Sequence, residues 1–213
     1  MKISATFKGL ILLLMGVVSL TNLFGIPAAV ISVILGVIGF FVFKLFDKQS
    51  FKEYGLDFKS ILNEITKSGN LVWILLPLVM NFIVIFLAQF ILPSYVEHVV
   101  SRSEGMLNVS NLPMLIVQLF VLAFVEEISW RGFFQKQVGS YMSFIPALFI
   151  TSVLFSLGHL SNGSLIIVIY DLFFIFVNSL IYGNIFRRTN NVWISTISHF
   201  LANLFAVIIL FLL

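Results

Sequence analysis

The sequence predicts an all-α, polytopic transmembrane helical bundle of about seven spans, and three observations predict it. Of 213 residues, 60% are hydrophobic and only 10% charged, with a mean hydropathy of +1.12, against about 25% charged in soluble domains. A soluble core of this length cannot hide so much apolar surface. The apolar residues also come in stretches of crossing length, near 7–24, 26–46, 69–92, 113–136, 143–161, 164–186 and 191–213, where roughly 17 to 25 residues are needed. Finally, with the N-terminus inside, eleven of the twelve Lys and Arg fall on the inner side, leaving only Arg102 outside. A span missed or added early would scramble that alternation, so the C-terminus is expected outside.

The first stretch has the basic flank of a signal peptide in Lys2 and Lys8, but Pro27-Ala28-Ala29 leads straight into the next apolar stretch without an evident cleavage site. A retained first helix is expected. Between spans two and three, DKQSFKEYGLDFKSILNEITKSGN mixes charges with Leu56, Phe58, Ile61, Leu62 and Ile65, the pattern of an interfacial amphipathic helix. The basic segment 44–67 is read as inner-leaflet contact, and residues 93–112, with Glu97, His98 and Glu104, as a solvated outer loop. No repeat or linker is evident, so residues 1–213 are taken as one membrane domain with its chemistry in 113–205. The net charge of +3 is explained by membrane sidedness and gives no sign of nucleic-acid binding. The absence of Cys excludes disulfides and thiolate metal sites, leaving His and carboxylate as metal ligands.

Ionisable residues inside spans are costly, at about 2.5–3.5 kcal/mol each on insertion scales, and usually functional. Here they cluster: Glu126, Glu127 and Arg131 in VEEISWRGFF, His159 in FSLGHL, and His199 with Asn203 in SHFLAN. Glu127 and Arg131, four apart, can pair on one face and offset the cost of burying both. Glu126 is left without a local partner, as suits a general base. His199 and Asn203, also four apart, can aim two donors at one oxygen. At about 1.5 Å per residue, Glu126 and His199 lie at matching depths of roughly 14–15 Å, whereas His159 lies roughly 20–24 Å up, a mismatch. Asp171 is read as a structural partner for Arg131 or a Tyr hydroxyl, and Phe155 as packing that positions the site.

The ordered set EExxxR (Glu126, Glu127, Arg131), FxxxH (Phe155, His159) and HxxxN (His199, Asn203) resembles the CPBP family, which groups type II CAAX prenyl endopeptidases with bacterial homologues linked to bacteriocin processing or self-immunity; Gly132 also fits its pattern. The resemblance covers roughly 113–205. It implies an intramembrane endopeptidase in which Glu126 activates a water, His159 holds or helps deprotonate that water, His199 and Asn203 stabilise the oxyanion, and Glu127, Arg131 and Phe155 give structural support. The family is often called a metalloprotease, although a glutamate-activated water without metal is also argued for it. No obligatory cofactor is favoured here. Were zinc used, Glu126, His159 and His199 are the candidate ligands, though no tight ligand spacing such as HExxH is present. The expected partners are the lipid bilayer and a membrane-associated peptide or protein, at a bacterial plasma membrane. Two other classes stay open: a non-catalytic binding or immunity protein against a bacteriocin, and a small proton-coupled transporter, which the lack of repeats and paired broken helices disfavours.

Overall fold

The structure, a computed structural model, describes residues 5–26, 28–104 and 111–212; Lys2, Pro27 and the side chain of Glu104 lie outside the described set. Among the described residues the fold is all-helical, and six helical stretches are long and apolar enough to cross a membrane. In chain order come α1 (Ala5–Ser19), α2 (Ala29–Phe46), α3 (Ile61–Thr66), α4 (Asn70–Ile91), α5 (Tyr95–Glu104) and α6 (Leu112–Glu127). A π-helical segment (Ile128–Gln135) and α7 (Lys136–Val138) prolong α6, and α8 (Phe144–Leu157), α9 (Leu165–Thr189) and α10 (Val192–Leu212) complete the bundle. The stretch expected as the fifth span is α8, only 14 residues long. At 1.5 Å per residue that is about 21 Å, less than the roughly 30 Å hydrocarbon thickness.

The outer surface is crowded with exposed Phe, Leu, Ile and Val, as expected where lipid replaces water. Polar backbone in that setting must be satisfied within each helix, which is why apolar stretches of this length fold as helices. Helix packing then depends on close approach. The most extensive contact joins α2 to the π-helical segment, and two glycines of α2 make it. A Cβ on Gly39 would lie 2.6 Å from Phe133 Cζ, and one on Gly36 would lie 2.7 Å from Ser129 Cβ. Small residues at helix interfaces let backbones meet in this way. Gly39→Val is therefore expected to lower stability by about 1–3 kcal/mol through overpacking, read as an earlier detergent melt of the purified protein.

The interfacial helix expected between spans two and three is much reduced. Gly55, at φ 103, turns the chain, and only a 3-10 turn (Phe58–Ser60) and α3 follow. The apolar residues of this segment do not form one lipid-facing stripe. Leu56 packs on the cluster around Phe40 and Phe133, Ile61 and Ile65 pack on that around Ile74 and Tyr182, and Phe58 and Leu62 stay exposed. Burial on two separate clusters has overridden the helical periodicity.

The segment read as a solvated outer loop contains α5, which lies against the bundle. Glu97 is exposed, as expected. His98 is not: its side chain is 8% exposed, Ser161 Oγ lies 3.3 Å from its Nε2, and Asp171 Oδ2 lies 3.9 Å away. Tyr95, His98, Val99 and Arg102 recur at three and four residues, so one helix face carries them all.

Candidate functional site

Glu126 and Glu127 end α6, at the point where the helix widens into π geometry. Such i→i+5 turns occur frequently at functional sites. The two neighbouring carboxylates diverge. Glu127 is fully buried, with Oε1 3.4 Å from Arg131 Nη1 and 3.0 Å from His199 Nδ1. Arg131 Nη2 donates to the carbonyl and hydroxyl oxygens of Ser179, at 3.2 and 3.0 Å, and the guanidinium lies over the rings of Phe155 (4.6 Å) and Tyr182 (5.5 Å). Glu126 instead faces a cavity of about 210 Å³, shared with His159, His199, Asn203 and Tyr182.

Both imidazoles are oriented by their Nδ1 atoms. His159 Nδ1 lies 2.8 Å from the carbonyl of Phe155; a carbonyl only accepts, so Nδ1 carries the proton and donates. His199 Nδ1 donates in the same way to the Glu127 carboxylate. Each ring therefore turns Nε2 toward Glu126: His159 Nε2 lies 4.0 Å from Oε1 and His199 Nε2 lies 3.8 Å from Oε2. Those gaps are too wide for a direct hydrogen bond and suit one bridging water. Tyr182 stacks on His199, with ring centroids 4.4 Å apart, and Phe155 sits edge-on to it at 6.2 Å. Asn203, one turn beyond His199 on α10, lines the same cavity, and its carboxamide makes no hydrogen bond to another described residue.

Glu126, His159, His199 and Asn203 thus share one cavity, which Phe155 also lines, with Glu127 and Arg131 behind it. The depth mismatch expected for His159 is absent. His159 Nε2 reaches to 4.0 Å from Glu126 Oε1 across the shared cavity, so the two groups meet whatever the length of α8 below them. For zinc the spacing is unfavourable. Two ligand atoms each about 2.0–2.1 Å from a tetrahedral zinc lie about 3.4 Å apart, whereas the imidazoles approach different Glu126 oxygens at 3.8 and 4.0 Å. Among the described residues no group of three His, Asp or Glu is arranged to hold a metal ion.

Other site residues were not singled out from the sequence. Ser179 and Tyr182 come from α9, in a polar run, Asn178-Ser179 and Tyr182, that breaks an otherwise apolar span; that interruption was the available signal. Val99 and Arg102 reach the cavity from α5, and nothing in their local sequence marks them. Asp171 does not meet Arg131. It accepts from the Tyr95 hydroxyl at 3.2 Å and pairs with Arg102. Burial and the Asp171 charge push the Tyr95 hydroxyl well above its usual range, so it remains a donor. Asp171→Asn is expected to cost about 1–3 kcal/mol, discounted for the partial exposure of Arg102, with faster hydrogen exchange confined to residues 95–102.

Residues 108–205 match the family model for type II CAAX prenyl endopeptidase Rce1-like proteins. Neither the curated proteins nor the solved structures contain a match to the chain. The matched segment holds all three motifs and four polar groups that line the cavity, Glu126, His159, His199 and Asn203, and through it this chain is similar to the type II CAAX prenyl endopeptidase Rce1-like family, a family of proteases.

Proposed function

We propose that the protein is an intramembrane endopeptidase that hydrolyses a peptide bond in a membrane-associated or lipidated peptide, using a water activated by Glu126. The observation that carries this reading is the Glu126 carboxylate set between two Nε2 atoms at 3.8 and 4.0 Å. A water in that gap donates one hydrogen bond to Glu126 and one to the lone pair of His159 Nε2, leaving an oxygen lone pair for the scissile carbonyl. Glu126 takes the proton during attack and returns it to the leaving amine. His199 and the Asn203 carboxamide stabilise the developing oxyanion. To donate from Nε2, His199 needs protons on both nitrogens.

The test is cleavage of a membrane-anchored peptide library by purified protein in nanodiscs, with and without a chelator. In ¹⁸O water, each new C-terminus should carry the label and the chelator should have no effect. A folded protein that cuts no member of the library refutes the reading, and loss of cleavage in chelator refutes the metal-free mechanism.

A further inference from the structure

At the opposite end of the molecule from Asp171 and Arg102, where Lys8 meets Asp47, Lys136 meets Glu53 and Arg188 meets Asn70, a second cavity of about 460 Å³ opens between the end of the π-helical segment, the first turn of α8 and the end of α9. None of its lining residues belongs to the catalytic set. We propose that it binds the headgroup of an anionic phospholipid, one carrying a phosphate and a free hydroxyl.

Four features give it that chemistry. Arg187 and Lys136 line it, and no Asp or Glu does. The Arg187 guanidinium rests over the Phe144 ring at 5.3 Å, which holds it at the rim. The Lys136 ammonium donates to the carbonyl of Glu53 and lies over the Tyr54 ring at 4.5 Å, so one of its three donors is engaged there and its charge has no carboxylate partner within ion-pair distance among the described residues. The 14-residue α8 begins at the cavity, its N-cap Ser143 making no side-chain capping bond, so the amides of Phe144 and Ile145, Pro146 having none, and the Ser143 hydroxyl are left for an anion lodged there. Deeper in, Gln135 is 5% exposed and its Nε2 donates to the Gly183 carbonyl, yet its Oε1 has no hydrogen-bond partner. A buried acceptor of that kind calls for a donor, which phosphate alone does not supply and a headgroup hydroxyl does. Ala147 and Phe186 add an apolar wall beside these groups. Basic pockets between helix ends at a membrane surface recognise anionic headgroups by this combination.

The experiment is native mass spectrometry of the full chain, released from nanodiscs of phosphatidylglycerol mixed equally with phosphatidylcholine, with glycerol 3-phosphate as a soluble competitor. Retention of one phosphatidylglycerol in preference to phosphatidylcholine is expected. The double variant Arg187→Gln, Lys136→Gln should lower that retention about tenfold, the worth of one charge-assisted hydrogen bond. A control, Lys52→Gln with Lys59→Gln, removes two exposed cations at the same end and should leave retention unchanged. Equal retention of both lipids by the unaltered protein, or equal loss from the two double variants, overturns the proposal. Glycerol 3-phosphate bound with no lipid retained overturns it too, in favour of a soluble phosphate ester. The preference of the unaltered protein decides the matter even where a variant fails to fold.

Discussion

Glu126→Gln is expected to abolish peptide hydrolysis while leaving the fold intact. The amide has nearly the shape of the carboxylate but no basic oxygen, so the water keeps its place and loses its proton acceptor. General-base contributions run to about 10²–10⁴-fold. The upper end is expected here, because the other nearby carboxylate, Glu127, is fully buried and committed to Arg131 and His199. Stability should be nearly unchanged. Glu126 makes no contact shorter than 3.8 Å to either imidazole, too long for a direct hydrogen bond that the amide would lose. A melting curve and a turnover rate on one peptide in nanodiscs suffice, and a rate within threefold of the unaltered protein ends Glu126's candidacy as the base. Asn203→Ala, which deletes one oxyanion donor, should cost less, about 10²-fold, without the same change in pH profile.

The contrast between Glu126 and Glu127 also shows what the sequence made legible. The i,i+4 spacing identified Glu127 and Arg131 as a pair and isolated Glu126, because helical periodicity decides both. The π-helical widening after Glu127 keeps residues four and five apart on nearly one face, so that inference survived a geometry it did not foresee. Positive-inside counting set the cations of 44–67, 136 and 187–188 on one side, and contacts such as Lys136 with Glu53 and Arg188 with Asn70 do gather them at one end of the bundle. Other features depend on contacts distant in sequence. Asp171 was correctly expected to need a partner, but Tyr95 and Arg102 lie about 70 residues away, on a helix whose charges resemble a solvated loop. Likewise, the role of Glu127 in fixing His199 spans 72 residues, and no spacing within either motif encodes it.

That Glu127 to His199 contact underlies the second large effect. Glu127→Gln is expected both to destabilise the protein and to silence it, for separable reasons. The variant leaves the Arg131 guanidinium, 0% exposed, without a counter-charge, and breaking a buried pair from one side costs about 3–5 kcal/mol. It also presents His199 Nδ1 with a neutral amide that can donate as well as accept, which releases the tautomer. Glu127→Gln combined with Arg131→Gln separates the two effects. With both charges gone, the buried site is again neutral, and melting should recover most of the loss. Activity should not recover, because His199 still lacks the carboxylate that sets its Nδ1 proton. Recovery of cleavage together with stability would show that Glu127 serves only to neutralise Arg131. Stability without cleavage assigns it the positioning of His199.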